Sequence, residues 1–427
     1  MRKKLLFILL ILFSHVAFGQ KIREELKDDL LRAGSNYYAY PDPDTPLSPA
    51  PKGKKPFYIS TYARHGSRYL IRAKEYEWPY QVMKKAGEQG KLSEVGKQVL
   101  EQLAILREEA KDRYGELTPL GASQHRKIAQ RMYNNFPEVF KGKAIIDAKS
   151  TVVVRCIISM ENALLQLTKN NPSLVVRSDA SQHDMYYMNL QDTLLFKKRL
   201  PKAALDVYAD FCKRHAVHEP SMRRLFNDSI FYRDSIDAYE LNKAIFKLAS
   251  SVQGTEMRYH FNLFDIYTAD ELYSNWMQYN AYWYLLFGNS PWNGGTQPFT
   301  QRNLLRKIIE DADFNIASPR NGATLRFGHE TIVLPLTCLL GLNGFDRQFD
   351  DLEKLDVNGW INFDVFPMAA NIQWIFYRKN PKDKDVLFKI LLNEKEAWLP
   401  IPTDCEPYYH WKDFREFYIN KLNSYQE

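Results

Sequence analysis

Three places in the chain set a basic side chain directly after a run of β-forming residues. Phe57 to Tyr62 leads into Arg64-His65-Gly66-Ser67-Arg68, Ser150 to Val154 into Arg155, and Ala323 to Phe327 into Gly328-His329-Glu330. Ligands of open α/β sheets bind beyond the carboxyl ends of the strands, so three such ends can converge on one point. The residue types make that point an anion site. Guanidinium groups offer a planar fork matched to phosphate oxygens, and several together neutralise a dianion and its transition state without a metal. A neutral imidazole among them is a competent nucleophile toward phosphorus.

The elements that must position these groups follow from the surrounding pattern. Ser93 caps a helix predicted to about Arg113, and Thr118-Pro119 opens another through Gln124, His125 and Met132. A helix over Ser159 to Lys169 and a strand over Ser173 to Arg177 come next. This alternation of strand and helix predicts an α/β fold, a mostly parallel sheet sandwiched by helices. From about Leu195 to Gly288 the pattern changes to helical periods rich in Tyr, Phe and Trp, which predicts an inserted all-helical lid. After the strand at Ala323, a helix over Thr331 to Leu342, strands near Asn371 to Arg378 and Val386 to Asn393, and an amphipathic helix from Trp411 return to the α/β pattern. The expected organisation is a leader over 1–19, α/β parts over 20–194 and 291–427, and the helical insertion over 195–290.

The leader reads Arg2-Lys3-Lys4, an apolar run from Leu5 to Phe13, then Ala17-Phe18-Gly19, the parts of a secretory signal with cleavage before Gln20. Its apolar run is shorter than the about 20 residues of a membrane-spanning helix and does not recur, so a soluble protein of periplasm, cell surface or medium is expected. The 427 residues are 45% hydrophobic and 26% charged, an ordinary globular composition. Of 58 Lys and Arg against 51 Asp and Glu, three cations belong to the leader, which leaves a processed chain at about +4. No long like-charge run interleaved with aromatics suggests a nucleic-acid surface. Cys156, Cys212, Cys338 and Cys405 permit two disulfides in an oxidising compartment, or stay buried thiols.

The run Tyr62-Ala63-Arg64-His65-Gly66-Ser67-Arg68-Tyr69 resembles the signature of the histidine acid phosphatases, the second branch of the histidine phosphatase superfamily. That signature is Arg-His-Gly-x-Arg-x-Pro with a basic residue two places after the proline. Leu70 stands at the proline here, and Arg72 fills the basic position. Within the family, Gly66-Ser67-Arg68-Tyr69 is most similar to the multiple inositol polyphosphate phosphatases. Similar segments follow in order: Glu116-Leu117-Thr118-Pro119-Leu120-Gly121 with Gln124-His125, Arg155-Cys156 with Ser159, Leu325 to Glu330, and Leu391-Leu392-Asn393-Glu394. The resemblance implies that His65 is phosphorylated, that Arg64, Arg68, Arg155 and His329 bind the phosphoryl group, that Arg72 contacts substrate, and that no metal or other cofactor is needed. It also implies a carboxyl beside His329 that protonates the leaving oxygen. Aligned on the downstream Leu334-Pro335-Leu336, Glu330 falls where most of the family has Asp, and Thr331 falls where the inositol polyphosphate branch keeps Glu. Threonine is no general acid near neutral pH, so Glu330 takes the role.

The function expected is an exported phosphomonoesterase acting on inositol polyphosphates of the phytate type through a phosphohistidine. The alternatives are a general acid or sugar-phosphate phosphatase, or a catalytically impaired phosphate-ligand binding protein. A dense polyanion asks for further cations, with Arg72, Lys74, Arg214 and Arg224 as candidates. His215 and His218 have the spacing of a metal pair but read as helix-end histidines, His125 reads as support for the site, and the aromatic run Trp276 to Phe287 reads as core. The chain has no phosphate-cradling Gly loop, HExxH, GxSxG or dinucleotide fingerprint.

Overall fold

A computed structural model describes residues 22–189 and 193–425; the expected leader lies outside them. Eight strands, β1 (Lys55–Arg64), β2 (Ile145–Ser150), β3 (Val175–Asp179), β4 (Gly322–Gly328), β5 (Asn371–Arg378), β6 (Leu387–Leu392), β7 (Lys395–Ala397) and β8 (Tyr409–His410), form one sheet. Its order is β3-β2-β4-β1-β5-β6-β7, with β8 also beside β6. The four strands from β3 to β1 are parallel, and β5, β6 and β7 continue antiparallel. Every residue of β1 after Lys55 is buried, as a strand covered on both faces requires.

The longer helices are α1 (Lys74–Glu88), α2 (Glu94–Ala110), α3 (Pro119–Asn135), α4 (Val154–Asn170), α5 (Lys202–His215), α6 (Ala238–Val252), α7 (Ala269–Phe287), α8 (Arg302–Ala317), α9 (Glu330–Leu340) and α10 (Trp411–Ser424). Ser93 Oγ accepts from Gly96 N, and Thr118 Oγ1 from Gly121 N with Pro119 at the first helical position. Each such cap contributes about 1 kcal/mol. On one face of the sheet Ala129 and Met132 of α3 and Leu164 and Leu167 of α4 pack on Ile59, Ala63, Ile146 and Phe327. The second and larger core joins the other face to the helical segment, where Trp276 lies 5.7 Å from Phe363 and Trp283 4.9 Å from Phe366. The run Trp276 to Phe287 is therefore packing, as its sequence reads.

Two expectations require correction. The second strand is Ile145–Ser150, ahead of the expected Ser150 to Val154, and Arg155 belongs to the first turn of α4. Alternate burial of Ile146, Ala148 and Ser150 defines the strand, whereas the β-branched run Thr151 to Val154 turns the chain into the helix. The third strand likewise starts at Val175, two residues after the expected Ser173. All four cysteines are free thiols, with Cys156 and Cys338 buried, which resolves the open pairing in favour of unpaired sulfur. No helix among the described residues is long and apolar enough to cross a membrane.

Candidate active site

The parallel register brings two of the three predicted strand ends together, with Arg64 opposite Gly328 and Ser150 opposite Phe327 on the strand beyond. Arg64, His65 and Arg68 leave β1, His329 and Glu330 leave β4, and Arg155 enters from α4. The loop after β1 is tied by its backbone. His65 N donates to Gly328 O (2.9 Å), Gly66 N to Ser159 Oγ (3.1 Å) and Ser67 N to Gln124 Oε1 (2.8 Å). Gly66 and Gly121 meet backbone to backbone. A Cβ on Gly66 would lie 2.3 Å from Gly121 O, and one on Gly121 would lie 2.2 Å from Ser67 O, so α3 can brace the loop only with glycine on both sides.

The bracing sets the tautomer of His65. Its Nδ1 lies 2.8 Å from Gly66 O, an acceptor only, so Nδ1 carries the proton and Nε2 presents a lone pair. Nε2 is buried with no hydrogen-bond partner and stands 3.6 Å from Glu330 Oε2. Burial pushes His65 well below the usual histidine range; Glu330 opposes this, and the nearby Arg64 and Arg155 add to it. The ring is neutral. His329, whose ring centroid is 5.7 Å from that of His65, is likewise pushed down to about 4 by burial, with Glu330 opposing and the arginines assisting. Its Nε2 lies 3.3 Å from Thr151 Oγ1 and 3.8 Å from Cys156 Sγ.

Two of the three guanidiniums, Arg64 and Arg68, are held from behind, and all three carry unmade donors. Arg64 Nη1 donates to Asn36 O (2.6 Å) and Phe366 O (2.9 Å), and its Nε faces Glu330 Oε2 at 3.0 Å. Arg68 Nη1 donates to Tyr69 O (2.9 Å), and its guanidinium lies 5.4 Å from the ring centroid of Tyr37. Arg64 Nη2, Arg68 Nε and Arg155 Nε are buried without hydrogen-bond partners. Buried donors left unmade are costly, and a cluster of them on cations marks the seat of an anion. Burial lowers Arg64 to about 10 against the pull of Glu330, and Arg68 and Arg155 lower it further. Burial works to raise Glu330, but Arg64, His65 and Arg68 outweigh it and hold the carboxyl well below its usual range. Three guanidiniums against one carboxylate leave a charge of about +2, the complement of a phosphate dianion.

Arg64, His65, Arg68, Arg155, His329 and Glu330 thus converge, whereas Arg72 does not join them: its backbone N–H bonds Glu75 Oε2 (2.9 Å) and its side chain is exposed. Arg214 pairs with Asp210 and Glu353, and Arg224 Nη1 donates to Asp265 O. Lys74 lines a cleft of about 490 Å³ with Lys243, Lys247 and Tyr279. His215 Nε2 meets Glu353 Oε1 at 2.6 Å while His218 packs at 5.9 Å on Tyr239, so they form no metal pair. His125, buried and pushed down to about 4, packs 5.4 Å from Phe327 beneath the site.

Asn36, Tyr37 and Phe366 escape sequence reading. Two act through backbone carbonyls, which any residue type supplies, and the segment holding Asn36 and Tyr37 shows no periodic pattern. Thr151 beside His329 has no signal beyond lying in the β-branched run before Arg155, whereas Cys156 belongs to the Arg155-Cys156 segment of the resemblance.

A buried, preorganised dianion site with a neutral imidazole at the carboxyl edge of a parallel sheet defines a phosphoryl-handling protein. Residues 60–393 match the model of the histidine phosphatase superfamily (branch 2). The chain belongs to that superfamily and is a phosphoric monoester hydrolase. Among solved structures, the multiple inositol polyphosphate phosphatase of Bifidobacterium longum in complex with inositol hexasulfate is similar at a TM-score of 0.74 and 19% identity, over 90% of this chain and 97% of that one. The phytase from D. castellii is similar at 0.67 and 14%, over 92% and 85%. Hafnia alvei phytase in complex with tartrate matches at 0.51 and 13%, over 87% and 98%. No curated protein matches the chain in sequence.

Proposed function

We propose that this phosphatase hydrolyses inositol polyphosphates of the phytate type through a phosphohistidine on His65, and that it acts after export. The observation that carries the chemistry is the buried, neutral His65, its Nε2 free and aimed among guanidiniums with unmade donors. Arg64, Arg68 and Arg155 hold the equatorial oxygens of the transferring group, and their hydrogen bonds strengthen as charge develops. His329, neutral at rest, faces the same oxygens. The His65 Nε2 lone pair forms the N–P bond while the ester P–O bond breaks and the electron pair leaves with the alkoxide.

Glu330 supplies the proton to that alkoxide. At rest its carboxylate lies against Arg64 and His65, where a phosphate oxygen belongs. An arriving dianion takes over the arginines, burial of the carboxyl is then unopposed, and its pKa rises until it carries a proton. Water attacks the phosphohistidine next, with Glu330 accepting its proton, and phosphate leaves. The inositol polyphosphate preference is supported by the likeness to the Bifidobacterium and D. castellii enzymes. Export is supported by the charged and apolar leader. The test is phosphate release from phytate and from an aryl phosphate, in EDTA, beside His65→Ala. Release from both that vanishes in the variant is expected, with phytate the better substrate; an excess for the aryl ester favours a general phosphatase, and binding without release overturns the reading.

A further inference from the structure

Beyond the active site, one cluster among the described residues combines three kinds of metal-ligating atom. Asp404 Oδ, Cys405 Sγ and a His410 ring nitrogen all lie within 4.8 Å of one another. His410 Nε2 is 3.0 Å from Asp404 Oδ1 and 3.9 Å from Cys405 Sγ. A tetrahedral zinc ion with bonds of about 2.0 Å to N and O and about 2.3 Å to S requires ligand separations of roughly 3.3–3.6 Å. The observed spacing brackets that range, so small side-chain movements close the site.

The second observation is at the far side of the imidazole. His410 Nδ1 is held at 2.7 Å by Asp385 Oδ1. A carboxylate on the other ring nitrogen fixes the tautomer and raises the basicity of a ligating histidine, and it is a recurrent partner of metal-bound imidazole. The surroundings are acidic: Asp383 and Asp385 share Lys54, whose Nζ bonds Asp383 (2.9 Å) and Asp385 (3.1 Å), while Asp404 faces His410. His65, His329 and Glu330 have comparable spacing, yet three guanidiniums surround them and repel a cation. The His410 cluster is also open to solvent, with the Asp404 side chain 84% and the His410 side chain 29% exposed.

We propose that Asp404, Cys405 and His410 form a site for a zinc-class divalent ion, with Asp385 orienting His410 and the fourth position facing water. On binding, the Cys405 thiol gives up its proton to solvent, and the lone pairs of Cys405 Sγ and His410 Nε2 form bonds to the metal. His410 pairs with Leu387 of β6, Leu387 with Tyr377 of β5, and the neighbouring Arg378 with Lys55, the opposite end of β1 from Arg64. At about 3.3 Å per residue that strand separates the two sites by on the order of 30 Å. The ion therefore closes the 404–410 segment on itself, tied through His410 to Asp385 ahead of β6, and takes no part in phosphoryl transfer.

The probe is Co²⁺ added to the EDTA-stripped, desalted full chain. One equivalent is expected to bind with a thiolate-to-cobalt charge-transfer absorption and the release of the Cys405 thiol proton. Cys405→Ser is expected to abolish the absorption and Cys156→Ser to retain it, Asp385→Asn to weaken binding at least tenfold, and Zn²⁺ to raise the melting temperature of the wild type and of Cys156→Ser but not that of Cys405→Ser. No charge-transfer absorption at one equivalent, or its persistence in Cys405→Ser, overturns the proposal. Should Cys405→Ser fail to fold, His410→Ala decides, since unchanged Co²⁺ affinity in that variant is equally contradictory.

Discussion

The two ends of the sheet push the same side chain in opposite directions from its ordinary titration range. At the carboxyl end of β1, burial with Arg64 and Arg155 pushes His65 well below the usual histidine range, and burial with Arg155, Arg64 and Arg68 pushes His329 down to about 4. At the other end His410 is raised: what burial it has lowers it, but hydrogen bonds to Asp404 and Asp385 outweigh that. The first arrangement produces a lone pair aimed at an anion, and the second an imidazolium, or a ligand, aimed at a cation. Neither role belongs to histidine as such. Each follows from the sign of the charge placed within a few ångströms and from how much water is excluded.

Arg64→Ala breaks the contrast most severely. It removes a donor from the transferring group and leaves Glu330 beside His65 much as Asp404 stands beside His410. A loss of about 10³-fold in kcat/KM is expected, with an acidic limb in the pH–rate profile moved to higher pH because His65 then holds its proton. Glu330→Gln comes next. Turnover of alkyl phosphates, whose leaving alkoxide needs a proton, is expected to fall about 10²-fold, while an aryl phosphate with an acidic phenol changes little and Thr331→Ala changes neither. Equal losses on both esters would assign Glu330 to phosphate binding alone.

Stability against pH separates the two ends without mutation. His65, His125 and His329 have folded-state pKa values below the unfolded value of about 6.5. The unfolded chain then binds more protons below that pH, so stability is complete above it and falls on acidification toward about 4, by up to roughly 1.4 kcal/mol per pH unit for each histidine. Urea unfolding between pH 7 and 5 measures this slope. His410 acts with the opposite sign: its contribution is present below about pH 6.5 and is lost as pH rises through its raised value. Gly121→Ala, which drives a Cβ against Ser67 O, is expected to destabilise by about 1–3 kcal/mol and to reduce kcat by displacing the loop. Smallest is His410→Ala in metal-free protein, a partly exposed side chain at the sheet edge, with a fall of no more than about 2 °C in Tm at pH 6 and none in activity.

Strands β1, β4 and β5 and their neighbouring helices were legible because their apolar runs are continuous and their caps, Ser93 and Thr118-Pro119, are unambiguous. The converging residues were legible for the same reason, since each follows a strand end. Arg155 was placed one element early: four β-branched residues before it outweigh, by propensity, the weaker period-two burial of Ile146, Ala148 and Ser150 that forms the real strand. The carbonyls of Asn36 and Phe366 behind Arg64 have no sequence signal at all. Arg72, read from the motif as a substrate contact, is exposed and lies outside the buried cluster.

The central claim is that His65 Nε2 is the nucleophile. Rapid mixing of the enzyme with an aryl phosphate under alkaline quench tests it most directly, because phosphohistidine survives alkali. The account predicts a burst of phenol equal to one enzyme equivalent, with matching phosphate covalently attached to His65 and neither seen in His65→Ala. Steady phenol release with no burst and no protein-bound phosphate during turnover, or label on a residue other than His65, would contradict it.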